Sequence, residues 1–422
     1  MKDKIKFSII IPTRERHVTL IDTIRTCLNQ DYENFEIIVS DNFSTIETKN
    51  VTEIFNDPRI VYINTGKRIS MSHNWEFALN YVTGDFVTYL GDDDGLLPGA
   101  LERIANILQS YKVDAIVWKW ASYFWPNAIS EDSRNKLFVP TAKEFEIRNA
   151  TQQLENVIQF KSSYEELPFL YKGFVSINAI NKVKQLSGGQ FFHSMIPDVY
   201  SAISLSCVIK EYYFSKEPFS INGTSGASNG ASSFHKDKSA NAAEQFESEK
   251  NIPFHSKAEF CPSVPMIVAE CFYQAQEVIP FLKDLNIDNK QLIDKVINDS
   301  LSGSTWRYTE TLKSIIKFGE KHNILDYVKN RINTTDYVDY THLPAIGLTP
   351  GYNIKNKVYI IDCANLHVKN IYDAAFLCGF IMNSKYTGQS TSIKQAALTT
   401  AKLIKGGLLR YLMKKKIYKP KN

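Results

Sequence analysis

Residues 85–101 read DFVTYLGDDDGLLPGAL. An apolar run over 86–90 predicts a buried strand, and it leads straight into Asp92, Asp93 and Asp94. Gly95 and Pro98 then break the chain before a helical pattern that starts at Leu101. Three adjacent carboxylates repel one another. A chain that sets them at the tip of a buried strand calls for a cation there. Mg²⁺ and Mn²⁺ are hard ions held through a carboxylate or two, with substrate phosphates completing the shell. The alternative is an acidic surface turn, because Asp and Gly are ordinary turn formers.

The flanking sequence weighs on that choice. Strand patterns at 7–11, 35–39, 60–63, 86–90 and 115–118 alternate with helical spacing at 19–28, 49–55, 72–82 and 101–109. Such alternation predicts a doubly wound, mostly parallel α/β sheet of Rossmann-like type. Ligands of these sheets bind beyond the carboxyl ends of the strands. Thr13 and Arg14 follow the first strand, Asp41 the second and the Asp triplet the fourth, so all fall on one edge. Independent turn residues have no reason to converge in that way, which favours the functional reading.

At 422 residues the chain has room for two domains, a catalytic one over 1–235 and a mainly helical one over 236–422. Helical spacing recurs at 264–281, 290–301, 308–321 and 324–333. A net charge of +4 is too small a bias to indicate a nucleic-acid partner. The six cysteines are scattered with no CxxC pair, which speaks against a zinc site or disulfide framework and fits a reducing cytoplasm. The apolar run near the N-terminus is too short for a signal peptide, and no run reaches membrane-span length. The small-residue stretch 223–233, GTSGASNGASS, is either a linker or a lid that orders over bound substrates. Residues 401–422 carry eight Lys or Arg and no acid. They read either as a basic helix lying on the inner face of an anionic membrane or as a solvated tail weakened by Gly406-Gly407. The helical half also offers a surface for homo-oligomers.

Four segments in order, FSIIIPTRER, FEIIVSDNFS, YLGDDDGLLPGAL and MIPDVYSAI, resemble the family 2 glycosyltransferases. The resemblance spans roughly residues 5–235 and implies a GT-A type fold. It implies an inverting enzyme that uses a nucleotide-sugar donor with Mg²⁺ or Mn²⁺. The acceptor would be a glycan or lipid-linked hydroxyl in bacterial surface polysaccharide synthesis. By the same resemblance, Pro12, Thr13, Arg14, Asp41, Asn74 and Asp92 serve the donor, with Asp41 reading the base, which favours a UDP-sugar. Asp93 and Asp94 serve the metal, and Asp198 is the catalytic base.

Two positions depart from the family pattern. Gly91 stands where a first carboxylate is usual, and His73 precedes Asn74 where Arg is common. Read without the resemblance, Asp41 is a turn cap, Asp198 an N-cap of the helix at Val199, and His73 and His235 structural. A phosphatase of the haloacid-dehalogenase type needs its Asp motif after the first strand, and here it follows the fourth. A sugar nucleotidylyltransferase needs a glycine-rich loop where PTRER stands. A non-catalytic glycan-binding or scaffold subunit of a synthase complex is the alternative of a different class.

Overall fold

The computed structural model describes residues 4–228, 252–340 and 348–383. Asn229, His235 and the basic stretch 401–422, all singled out above, lie outside these residues.

The first hundred residues form the alternation that their periodicity demands. In chain order they are β1 (Phe7–Thr13), α1 (His17–Leu28), β2 (Phe35–Asp41), α2 (Ile46–Glu53), β3 (Ile60–Asn64), α3 (Met71–Leu79), β4 (Phe86–Tyr89), β5 (Gly95–Leu96) and α4 (Ala100–Tyr111). Next come β6 (Ala115–Trp118), β7 (Ala121–Phe124), β8 (Lys136–Pro140), β9 (Phe145–Asn149), α5 (Ala150–Ile158), β10 (Gly173–Ser176), α6 (Ile177–Leu186), α7 (Pro197–Ser206), β11 (Glu211–Ser215) and β12 (Ser220–Thr224). The main sheet has the order β3-β2-β1-β4-β10-β6-β11-β9. Strands β3, β2, β1 and β4 are mutually parallel, as expected of the GT-A type. Strand β10 enters antiparallel between β4 and β6. The stretch 173–180, which reads as one strand, splits at Ser176, whose hydroxyl accepts from the Ala179 N–H and starts α6. A serine at that point offers the backbone a helix start in place of another ladder bond.

The main sheet is buried on both faces, which is why β1 and β2 read as continuous apolar runs. One face packs Ile10, Ile38 and Val87 under α3, α5, α6 and α7. The other packs Ile9, Ile11 and Ile37 under α1 and α4. Trp75 stacks on Tyr89 with ring centroids 4.1 Å apart, and the Tyr89 hydroxyl donates to the Trp75 carbonyl at 2.6 Å. This contact fixes the end of β4, where the triplet begins.

The later region is helical as expected, with α8 (Val264–Val278), α9 (Asn289–Ser300), α10 (Thr305–Lys321) and α11 (Leu325–Asn333). It is not a separate body. Met266, Ala269 and Phe272 of α8 belong to the same apolar cluster as Val199 and Ile203 of α7. The chain then returns to the first region through β13 (Gly351–Asn353), β14 (Val358–Asp362) and α12 (Ile371–Asn383). A second sheet results, in the order β13-β14-β8-β7-β12-β5. The division at residue 235 therefore needs correction: β14 pairs with β8 from Val358↔Pro140 to Asp362↔Lys136. No helix among the described residues is long and apolar enough to cross a membrane.

Candidate active site

Strand β4 delivers the triplet to the carboxyl edge of the sheet, and the second sheet closes over it. Asp92, Asp93 and Asp94 are only 2%, 5% and 0% exposed. A buried carboxylate is costly unless paired or hydrogen-bonded, so each one's partners describe the site. Asp92 accepts from the Thr13 hydroxyl at 2.7 Å and pairs with Arg16 at 3.1 Å. Thr13 ends β1 and Arg16 immediately precedes α1, so the loop after the first strand contacts the triplet as the sequence implies. The Arg16 guanidinium also donates to the Ala227 carbonyl, which ties the start of the small-residue stretch to the site.

Asp94 faces the opposite wall. It accepts from the Tyr171 hydroxyl at 2.6 Å, the Gly91 N–H at 3.1 Å and the Gly223 N–H at 2.7 Å, and Lys172 lies 3.7 Å away. Asp93 accepts from the Ser225 hydroxyl at 2.7 Å and the Ser225 N–H at 3.2 Å. Among the described residues it has no ion pair. Two cations thus face three carboxylates, and Asp93 is the one without its own. Burial, followed by the charges of Asp94 and Asp92, pushes its pKa up to about 7.

This donor set fits one hard divalent cation. No cluster of three or more His, Cys, Asp or Glu side chains able to hold a metal occurs among the described residues. Magnesium-type sites, however, take one or two carboxylates and leave the remainder to phosphates and water. Asp93 is the carboxylate of the triplet without an ion pair among the described residues, though the charge of Arg16 reaches it. A group whose folded pKa stands above its unfolded value near 3.8 stabilises the fold below that value and loses this contribution as pH rises through about 7. Asp198 and Glu270, whose pKa values burial also raises, act in the same direction. The melting temperature in EDTA is therefore expected to fall between about pH 4 and pH 7. Excess Mn²⁺ should flatten that fall, and a profile indifferent to Mn²⁺ would argue against a cation at Asp93.

Gly91 has a steric explanation. A Cβ at this position would stand 2.6 Å from Asp94 Oδ2 and 2.8 Å from the Tyr171 hydroxyl. The space a side chain at 91 would need is thus filled by Tyr171 and Asp94. Gly91→Asp restores the family pattern in sequence but overpacks the site and adds a fourth like charge. It is expected to destabilise the fold by roughly 1–3 kcal/mol, read by denaturant unfolding, with no gain in activity.

Asp41 is fully buried at the end of β2. Its Oδ2 accepts from the Tyr62 hydroxyl at 2.6 Å and the Asn64 amide at 2.8 Å, and its Oδ1 from the Ser44 N–H at 3.0 Å. It caps the turn and also orients Tyr62 and Asn64, which the sequence did not single out. Asn74 is buried against the same strand, where its amide accepts from the Ser40 hydroxyl at 2.7 Å and donates to the Ser40 carbonyl at 3.2 Å. Pro12 and Arg14 are half-buried in the strand end and loop beside Thr13. His73 bonds Ser70 at the start of α3, a structural role.

Asp198 lies in the first turn of α7, after Pro197. Ile196, not Asp198, is the N-cap. The Asp198 carboxylate is half-buried, with the Tyr164 hydroxyl at 3.4 Å. Burial raises its pKa, against backbone N–H groups of the helix start, Lys172 and Tyr164, which lower it. Glu270 of α8, fully buried, accepts from the Ser194 hydroxyl at 2.7 Å and so anchors the loop that leads into α7. Of the residues that build the site, Tyr171, Lys172 and Glu270 were missed in the sequence, each an ordinary residue type in a segment without a motif, whereas Ser225 belongs to the small-residue stretch 223–233 singled out there.

With this geometry in place, the comparisons can be read. Residues 8–167 match the family model described as Glycosyl transferase family 2. The chain carries a family 2 glycosyltransferase domain. It is 41% identical over 102 residues to the GalNAc(5)-diNAcBac-PP-undecaprenol beta-1,3-glucosyltransferase of Campylobacter jejuni, across 24% of this chain and 33% of that protein. It is 26% identical over 117 residues to the UDP-Glc:alpha-D-GlcNAc-diphosphoundecaprenol beta-1,3-glucosyltransferase WfaP of Escherichia coli, across 28% of this chain and 45% of that protein. The matches therefore span less than half the length of these relatives. Among solved structures, S. aureus TarS 1–349 in complex with UDP-GlcNAc is 15% identical with a TM-score of 0.45, across 78% of this chain and 91% of that one. The family 2 match ends before Asp198 and Lys172 are reached.

Proposed function

We propose that the chain is an inverting glycosyltransferase. It moves a sugar from a nucleoside diphosphate donor, a UDP-sugar, to a hydroxyl of a lipid-linked or glycan acceptor in surface polysaccharide synthesis. The observation that carries this reading is the buried carboxylate triplet at the carboxyl end of β4, together with a second acid, Asp198, at the start of α7. Tyr171 and Lys172 stand against Asp94 of the triplet, and the charge of Lys172 also acts on Asp198. The relatives named for transfer to undecaprenol diphosphate sugars support the acceptor class.

In this reading the nucleoside end of the donor lies across the ends of β1 and β2, where Pro12, Thr13 and Arg14 line the loop. Asp41 reaches the base by way of Tyr62 and Asn64, and Asn74 braces the strand end behind them. Arg16, beside Asp92, is placed to meet diphosphate oxygens. A divalent cation, Mg²⁺ or Mn²⁺, held by Asp93 with the remaining lone pairs of Asp94, would neutralise the leaving diphosphate as a Lewis acid. Asp198 takes the proton of the acceptor hydroxyl as the new bond forms. Its raised pKa makes it a better base than an exposed Asp. A single displacement inverts the anomeric centre.

The reading is tested by nucleotide release from UDP-, GDP- and dTDP-sugars, each with Mn²⁺ and with EDTA. Release from UDP-sugars that requires Mn²⁺ is the expected result. Melting with UDP and Mn²⁺ should rise through preferential binding to the folded state. A protein that neither releases nucleotide nor gains stability from any nucleoside diphosphate would instead be the non-catalytic glycan-binding subunit.

A further inference from the structure

Lys172 is a cation in an uncommon place. Its side chain is only 4% exposed, and its ammonium stands 3.7 Å from Asp94 Oδ2. It lies over the Tyr171 ring at 4.3 Å and the Trp120 ring at 4.9 Å. A lysine is among the residues least often buried, and burying its charge is tolerated only beside compensating groups. Here an acid and two aromatic faces provide the compensation.

Its backbone lies in the left-handed region at φ 61°, which Lys112 and Lys357 also adopt, but of these three lysines only Lys172 is buried. That conformation comes easily to Gly and Asn, not to Lys. The chain reverses at this point. Tyr171 bridges Tyr89 in parallel fashion, the Lys172 N–H donates to the Tyr89 carbonyl at 3.1 Å, and β10 then runs antiparallel to β4. The turn itself would be served better by glycine, so the side chain at 172 needs a reason other than the turn. Strained residues of this kind cluster at functional sites.

The surroundings supply a reason. The Tyr164 hydroxyl lies 3.4 Å from Asp198, which is within electrostatic reach of Glu165, Tyr171, Lys172 and Cys271 of α8. The charge of Lys172 acts on both Glu165 and Asp198, while Lys119 acts on Glu165.

We propose that Lys172 is a positioning residue for glycosyl transfer, a buried positive charge beside Asp94 of the triplet and within electrostatic reach of the base at Asp198. The proposal rests on the reading of Asp198 as base. Lys172 holds the Asp94 wall of the donor site and the Asp198 wall of the acceptor site in one electrostatic frame. It also keeps Asp198 deprotonated to lower pH than burial alone would permit.

The test uses the full chain and three variants. Lys172→Asn and Lys172→Gly remove the charge while accepting the left-handed backbone, and Lys172→Arg keeps the charge. Asn and Gly variants are expected to melt within about 5 °C of the parent, since backbone strain is relieved as the ion pair is lost. Their transfer rate is expected to fall about 100-fold, and the acid limb of kcat/KM to move up by about one pH unit. Lys172→Arg should return that limb towards its original position. A residue present for the turn alone would show the opposite, with unchanged kinetics and equal or greater stability in the glycine variant. Asn and Gly variants that keep transfer within about twofold and the limb in place would overturn the proposal. Asp198→Asn separates the two layers. If it is inactive while Lys172→Asn keeps the limb, the Lys172 proposal alone fails. If it is fully active, the reading of the base fails, and the Lys172 proposal with it.

Discussion

Asp198→Asn is expected to reduce sugar transfer by about 10²–10⁴-fold, the range that a positioned general base contributes. The amide has nearly the same shape but cannot take the acceptor proton. Asp198 sits in the first turn of α7, where an anion is favoured by the exposed N–H groups of the helix start. Asn keeps part of that bonding, and the carboxylate it replaces is destabilised by burial. The melting temperature should consequently change little while the rate collapses. A merely structural Asp would give the reverse pattern, a lower melting temperature with near-normal turnover. In the parent protein, activity should be lost as pH falls through the raised pKa of Asp198, and in the variant that limb should disappear. Stabilisation by UDP with Mn²⁺ should persist in Asp198→Asn, because the proposed donor groups belong to the triplet and the loop after β1. Transfer at the parent rate would remove Asp198 from the mechanism.

Gly223→Ala is the second large effect. Strand β12 pairs with β5 through Ser220↔Leu96 and Ile221↔Gly95, a register that brings Gly223 down onto the triplet. Its N–H bonds Asp94 at 2.7 Å, and a Cβ there would stand 1.7 Å from the Asp93 carbonyl oxygen and 2.8 Å from Trp125 Nε1. The first of these neighbours is backbone and cannot swing aside. One methyl group must therefore push β12 away from the triplet and break the bond to Asp94. Overpacking of this kind costs about 1–3 kcal/mol and sometimes more. The effect on rate should be larger still, because displacing a reacting group by about 1 Å can cost about 100-fold. Differential melting and Mn²⁺-dependent nucleotide release measure the two effects separately. A variant with parent stability and rate would show that β12 does not hold the triplet in place.

Much of the placement of these residues on one sheet edge was legible in the chain. Strand β4 must be buried because residues 86–90 are apolar and lie between helical segments, and the triplet must then fall at its carboxyl end. The same logic brings Thr13 and Asp41 to that edge, and the register Thr13↔Asp41 between β1 and β2 agrees. The Asp198 segment was legible only by resemblance, because its position depends on packing. Helix α7 is buried between the sheet and α8, and Glu270 fixes the loop before it from 76 residues away in sequence. Periodicity carries no information about such a distance.

The sequence by itself determined the alternation of strands and helices, the mostly parallel character of the sheet and the edge on which the acids gather. These follow from local spacing and from the short connections it allows. Only the tertiary structure decided how three adjacent like charges are shared out. Arg16 takes Asp92, Lys172 and Tyr171 take Asp94, and Ser225 with no cation takes Asp93. It also decided that residues 358–362 return to pair with β8 instead of continuing the helical region. Both outcomes depend on partners between about 70 and more than 200 residues apart, brought together by burying apolar faces that the local pattern marks as apolar but does not pair.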